Sequence, residues 1–190
     1  DALFDRVARE AAASPRARQN HNFHRTLEEN PNRLLNVLLP GSYITPHRHD
    51  EPPRPEAFLL LRGRVAFFLF DDAGQVSHAV VLQAPGGPHP VGIDVDPGVW
   101  HTLAALDAPA VCYEVKPGPY IATSDKEFAP WAPREGEAGC AAYLAGLPQA
   151  PKAQDPFRHP KSPIERRRGE LEAMARCGVI SATELAPELG

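Results

Sequence analysis

The spacing of apolar and polar positions changes character along the chain. At residues 3–13 (LFDRVAREAAA) good helix formers dominate, and Leu3, Val7 and Ala11 share one side, which predicts an α-helix stopped by Ser14-Pro15. Residues 17–30 are polar, and a strand around 20–27 is the expectation there. From residue 33 the helical period is gone. RLLNVLL (33–39) reads as a buried strand ended by Pro40-Gly41, and short β-type runs follow at 43–49, 57–61, 65–70, 77–82, 92–95, 101–106 and 111–116. Asp71-Asp72-Ala73-Gly74 supplies a hairpin turn after VAFFLF, in which Phe67, Phe68 and Phe70 read as core together with Trp100. Short, evenly spaced strands punctuated by Gly and Pro predict an all-β, single antiparallel sandwich or barrel.

The alternation stops at Pro117-Gly118-Pro119-Tyr120. Residues 121–162 are proline-rich with isolated aromatics (Phe128, Trp131, Tyr143, Phe157) and read as a wrapping loop or linker. Residues 163–175 (PIERRRGELEAMA) read as a helix with the stripe Ile164, Leu171 and Met174. Gly178 is its stop, and Ser181 to Glu184 could cap a final turn. The organisation expected is a helical lead-in at 1–19, a barrel at 20–120, the loop at 121–162 and a helical tail at 163–190.

Composition narrows the function classes. The 190 residues are 43% hydrophobic, enough for one real core plus appendages, and 22 prolines argue for short elements joined by rigid turns. A net charge of -4 gives no basic face for nucleic acid, and Arg166-Arg167-Arg168, followed by Glu170 and Glu172, reads as a solvated helix face. Cys112, Cys140 and Cys177 are far apart with no CxxC spacing, which fits a reducing cytoplasm. No apolar run approaches a membrane span and no positive-then-apolar leader opens the sequence, so a cytoplasmic protein is the expectation.

The chemistry gathers in the frame Gly41-SYITP-His47-Arg48-His49-DEPPRP-Glu56-AFLLLR-Gly63 and in Pro97-Gly98-Val99-Trp100-His101. Histidines two apart on an extended segment face the same way, while Arg48 between them points outward or across a subunit boundary. A carboxylate beyond a turn and an imidazole from a distant strand can close on the same point. Three neutral nitrogens and one anionic oxygen suit a single borderline divalent ion: Fe, Zn, Ni, Mn or Co. The metal ligands expected are therefore His47, His49, Glu56 and His101, with Glu51 a rival for Glu56. His78, His89 and His159 read as ordinary surface or structural histidines.

This frame resembles the two signature motifs of the cupin superfamily, which implies a double-stranded β-helix, or jelly-roll, barrel holding one metal in its mouth. Three positions depart from the pattern: the spacer DEPPRP is longer, Asp96 occupies a proline slot and Ala105 an asparagine slot. The stretches Ser14-Pro15-Arg16-Ala17-Arg18, Asn20-His21-Asn22-Phe23-His24, Pro46-His47-Arg48-His49, Gly98-Val99-Trp100-His101-Thr102-Leu103 and Glu114-Val115-Lys116-Pro117-Gly118-Pro119-Tyr120 together resemble the WbuC-type cupin family. That likeness implies a metalloprotein associated with surface-polysaccharide genes, but no substrate.

Polar residues around the cup complete the picture. Arg18, Asn22, Arg33, Asn36, Lys116 and Tyr120 are candidates to bind a small polar, carbohydrate-related ligand, arginine because its fork takes two oxygens of a carboxylate or phosphate. Asn36, interrupting LLNVLL, either bonds backbone or faces the pocket. His24, Tyr43 and Glu114 are candidates for proton transfer. The expectation is a metal-dependent isomerase, epimerase or oxygenase acting as a homodimer, without nucleic acid or membrane as partner. Two other readings are a sensor module docking a partner through its C-terminal helix, and a barrel stabilised by a structural metal.

Overall fold

The computed structural model describes residues 1–106, 108–122 and 125–147. The expected helix at 163–175 with Ile164, Leu171 and Met174, the run Arg166 to Arg168, and His159 and Cys177 lie outside the described residues. The chain divides into two compact units, Asp1–Ala132 and a second beginning at Pro133.

The first unit opens with α1 (Ala2–Ala13), capped by the Asp1 carboxylate, which accepts from Leu3 N–H at 2.9 Å. Its stripe holds as expected: Val7 and Ala11 are fully buried against Leu35, Val37 and Val111. Among the described residues ten strands follow: β1 (Arg18–Asn22), β2 (Asn32–Leu38), β3 (His47–Arg48), β4 (Glu56–Arg62), β5 (Arg64–Phe70), β6 (Val76–Gln83), β7 (Gly92–Val95), β8 (Trp100–Ala105), β9 (Ala110–Lys116) and β10 (Glu127–Phe128).

They form two antiparallel sheets, β1-β2-β9-β4-β7 and β10-β3-β8-β5-β6. The pairings nest around the β5–β6 hairpin: β4 pairs with β7, β3 with β8, and β2 with β9. That nesting is the jelly roll, so the all-β, single-barrel expectation with an N-terminal helix is the observed fold. Between the sheets lie Leu38, Phe58, Leu60, Val65, Phe67, Leu82, Val95, Leu103 and Cys112. The opposite face of β2 and β9 is the one α1 covers. At Gly63, between β4 and β5, φ is +75° and an added Cβ would stand 2.9 Å from the Pro109 carbonyl oxygen, so both conformation and space demand glycine.

Three local expectations shift. The first strand occupies Arg18–Asn22 and stops before the expected 20–27 span ends, because the Glu29 carboxylate accepts from the Arg25 and Thr26 N–H groups and folds that stretch into a turn. Of the expected strand 43–49 only His47–Arg48 is in a ladder. Pro46 has no N–H to give, and side chains replace ladder partners: Arg18 Nη1 donates to the Tyr43 carbonyl and Thr102 Oγ1 to that of Ile44 at 2.7 Å. Finally, β10 lies inside the stretch read as a loop. In the second unit so does α2 (Cys140–Gly146), a short helix with no apolar period to announce it. No helix among the described residues is long and apolar enough to cross a membrane.

Candidate metal centre

Strand alternation places the first two imidazoles. His47 and His49 flank Arg48, so both turn into the barrel while Arg48 turns out, where its guanidinium meets Glu127 at 2.8 and 3.1 Å and lies 4.4 Å above the Trp100 ring. His101, on β8, stands directly opposite His47 and stacks on Phe67, with ring centroids 5.9 Å apart. Glu56 opens β4. The two motifs are tied together at Gly98, whose N–H donates to the His49 carbonyl at 3.1 Å and whose φ of +77° makes the turn ahead of Trp100. One ligand atom from each of His47, His49, Glu56 and His101 lies within 4.8 Å of the others, and all four side chains are buried. Glu51, the rival carboxylate, is exposed and outside this group.

Tautomers follow from the partners. His47 Nδ1 faces the Thr45 carbonyl at 3.0 Å, His101 Nδ1 the Val99 carbonyl at 2.8 Å, and His49 Nδ1 the Asp125 carbonyl. A carbonyl only accepts, so each Nδ1 carries the proton and each Nε2 offers a lone pair inward. His49 Nε2 lies 3.1 Å from Glu56 Oε1, and His101 Nε2 lies 3.1 Å from Glu56 Oε2. His49 Nε2 and Glu56 Oε1 are buried with no hydrogen-bond partner. Four acceptors thus face one another in a dry site. Burial, reinforced by the Lys126 charge, holds the His47 imidazole well below its ordinary pKa, so a proton is a poor remedy there. Burial pushes the Glu56 carboxyl up, while the Lys116 ammonium, 3.4 Å away, favours its ionised form. The donor set fits a divalent cation, which would relieve all four atoms together.

A second group of charges adjoins the first. Lys116 Nζ, on β9, reaches Asp125 at 3.0 Å, Glu56 at 3.4 Å and Glu114 at 3.8 Å. Arg54, from the loop between His49 and Glu56, meets Asp125 at 3.3 Å. Asn36 Nδ2 donates to Glu114 Oε2 at 3.0 Å, so this amide faces the interior, and its Oδ1 is left buried without a donor. Burial and the neighbouring Glu56 raise the Glu114 pKa. The Lys116 ammonium, which burial alone would weaken, is held charged by Glu114, Glu56 and Asp125.

Of the other predicted residues, Tyr120 meets Lys116 through its ring, 5.6 Å from the ammonium. Arg18 is spent on the Tyr43 carbonyl, and Arg33 pairs with Glu29 at 3.0 Å. His24 bonds the backbone of Arg33, and Asn22 is exposed at the end of β1. Trp100 is buried on the outer side of β8, its Nε1 donating to Asp72 at 3.0 Å. Sequence reasoning missed Arg54, Asp125 and Lys126. The signal for Asp125 and Lys126 is a charged triplet, Asp125 to Glu127, ahead of an aromatic in an otherwise proline-rich stretch, and Arg54 has none beyond its place in the spacer DEPPRP.

A family model described as a domain of unknown function (DUF6016) matches residues 1–82. No curated protein matches the sequence. Similar solved structures include the capsular polysaccharide assembling protein CapF from Staphylococcus aureus, with a TM-score of 0.49 and 17% identity over 60% of this chain and 30% of that one. Another is Cellulomonas parahominis L-ribose isomerase with L-psicose, with a TM-score of 0.47 and 16% identity over 60% of this chain and 70% of that one. A third is the cupin domain of Schizosaccharomyces pombe Cnp3, with a TM-score of 0.41 and 11% identity over 53% of this chain and 64% of that one. The chain thus spans about 30% of the length of CapF.

Proposed function

We propose that this barrel binds one divalent transition metal through His47, His49, Glu56 and His101 and works as a metal-dependent enzyme on a small polar molecule. The observation that carries the reading is the set of buried acceptors turned on one another, with every Nδ1 already engaged by a backbone carbonyl. When bound, the ion supplies Lewis acidity or redox chemistry at the barrel mouth. The chain's own residues do the rest. Glu114, whose raised pKa lets it hold a proton nearer neutrality, is tied to the quartet through Lys116 and oriented by Asn36, which suits it to proton transfer. Lys116 keeps Glu56 anionic. The resemblance of the sequence to WbuC-type cupins supports a carbohydrate-related substrate and a place in surface-polysaccharide metabolism.

Elemental analysis of protein purified without added metal is expected to find about one ion per chain, and His101→Ala is expected to strip it. Full metal content in that variant would refute the ligand assignment. Incubating the loaded protein with sugars, sugar phosphates and nucleotide sugars, under air and under nitrogen, tests turnover. A reaction lost under nitrogen identifies an oxygenase, one indifferent to oxygen an isomerase or epimerase, and no turnover in either gas overturns the enzymatic reading.

A further inference from the structure

The charged groups around the quartet have a balance that the metal disturbs. Three carboxylates, Glu56, Glu114 and Asp125, stand among three cations, Lys116, Arg54 and Lys126. With Glu114 ionised these charges cancel in number, and with Glu114 protonated the group is already positive, so in either state a divalent ion adds positive charge that no side chain of the group offsets. Two of the cations are committed. Lys116 is buried and in contact with all three carboxylates, and Arg54 is buried on Asp125. Lys126 differs: it makes no hydrogen bond or ion pair among the described residues, and it is partly exposed.

Its place follows from its neighbours in the chain. Glu127 pairs with Arg48 and forks onto it, on the outer side of β3. Phe128 pairs with His47, and the two rings lie 6.2 Å apart. Residue 126 therefore stands between Asp125, whose carbonyl meets His49 Nδ1 and whose carboxylate reaches Lys116 inside the cup, and Phe128 beside His47, which sets it against the quartet. The field of the Lys126 ammonium acts on His47 more strongly than that of any other charged group.

We propose that the cup takes a small oxyanion, a carboxylate or phosphate group, next to the metal, with Lys126 as its charge partner. The inference rests on the metal reading above and narrows the small polar molecule to an acid. A neutral polyol fills hydrogen bonds but leaves the positive charge that the ion adds without an answer; an anionic oxygen group offsets it and gives the ammonium of Lys126 a bonded partner.

The test uses the full chain with its purified metal, measured by elemental analysis before and after calorimetric titration with glycolate, with inorganic phosphate and with neutral glycolamide. Glycolate or phosphate is expected to bind at least tenfold more tightly than glycolamide, and the tighter of the two names the anionic group. Lys126→Met and Lys126→Gln are expected to keep the metal and lose that preference. Equal binding of glycolamide, no binding of either anion, or undiminished anion binding by metal-loaded variants would overturn the proposal while leaving the metal reading intact. Loss of metal by both variants would make Lys126 structural and also overturn it. Wild-type protein without metal would refute the metal reading and this inference with it.

Discussion

The same strands build an apolar half and a polar half of one barrel interior. On β9 the inward face runs Ala110, Cys112, Glu114, Lys116; on β4 it runs Glu56, Phe58, Leu60; on β8 His101, Leu103, Ala105; and on β2 Asn36, Leu38. Each strand crosses from hydrocarbon to a polar group in one inward step without changing face. The apolar half is close-packed and needs no partner beyond shape. The polar half is buried to the same degree, yet every one of its charges depends on a neighbour. Pleating decides which residues point inward, whereas side-chain chemistry decides what each level of the interior does. Phe67 marks the border, packed into the core and stacked on His101.

Mutations can break this contrast from either side. The largest loss is expected from Phe67→Ala, which opens a cavity in the apolar half and removes the floor beneath His101: about 4 kcal/mol by denaturant unfolding. A loss below about 1 kcal/mol would mean that the two halves are not coupled at this ring. In the polar half, Lys116→Met leaves Glu56, Glu114 and Asp125 buried without their shared cation, and about 3 kcal/mol is expected to be lost from the metal-free protein. The contrast sharpens if excess divalent metal restores part of that stability, since an ion held by the proposed ligands would be a second cation for Glu56; equal losses with and without metal would argue that Lys116 and the proposed metal site are independent. At the rim, Glu127→Gln weakens the fork on Arg48, which is 23% exposed, and should cost under about 1 kcal/mol, read as a small shift in melting temperature.

The inward level of the barrel was legible residue by residue. RLLNVLL, VAFFLF and the later runs have period two or unbroken apolar character, and β2 and β4 to β9 form where those runs lie. His47, His49, Glu56 and His101 were legible because two short frames contain them, and a strand pair set opposite each other at His47 and His101 closes the frames on one point. The charged residues around them were not. Arg54 sits in a spacer whose length has no periodic meaning, and Asp125 reaches Lys116 and His49 only because β10 pairs with β3 across many residues of chain. Arg33 and Arg18 show the converse: they look like oxyanion binders in sequence, and the fold spends them on Glu29 and on a backbone carbonyl.

By itself, then, the order of residues determined the helix stripe, the strands and the four inward donors, because each depends on alternation or spacing over a few neighbours. Only the tertiary structure decided which carbonyl orients each imidazole, which cation serves which carboxylate, and that Lys126 has no bonded partner among the described residues. Those are contacts between distant segments, and their strength comes from a shared desolvated space that exists only once the two sheets have closed.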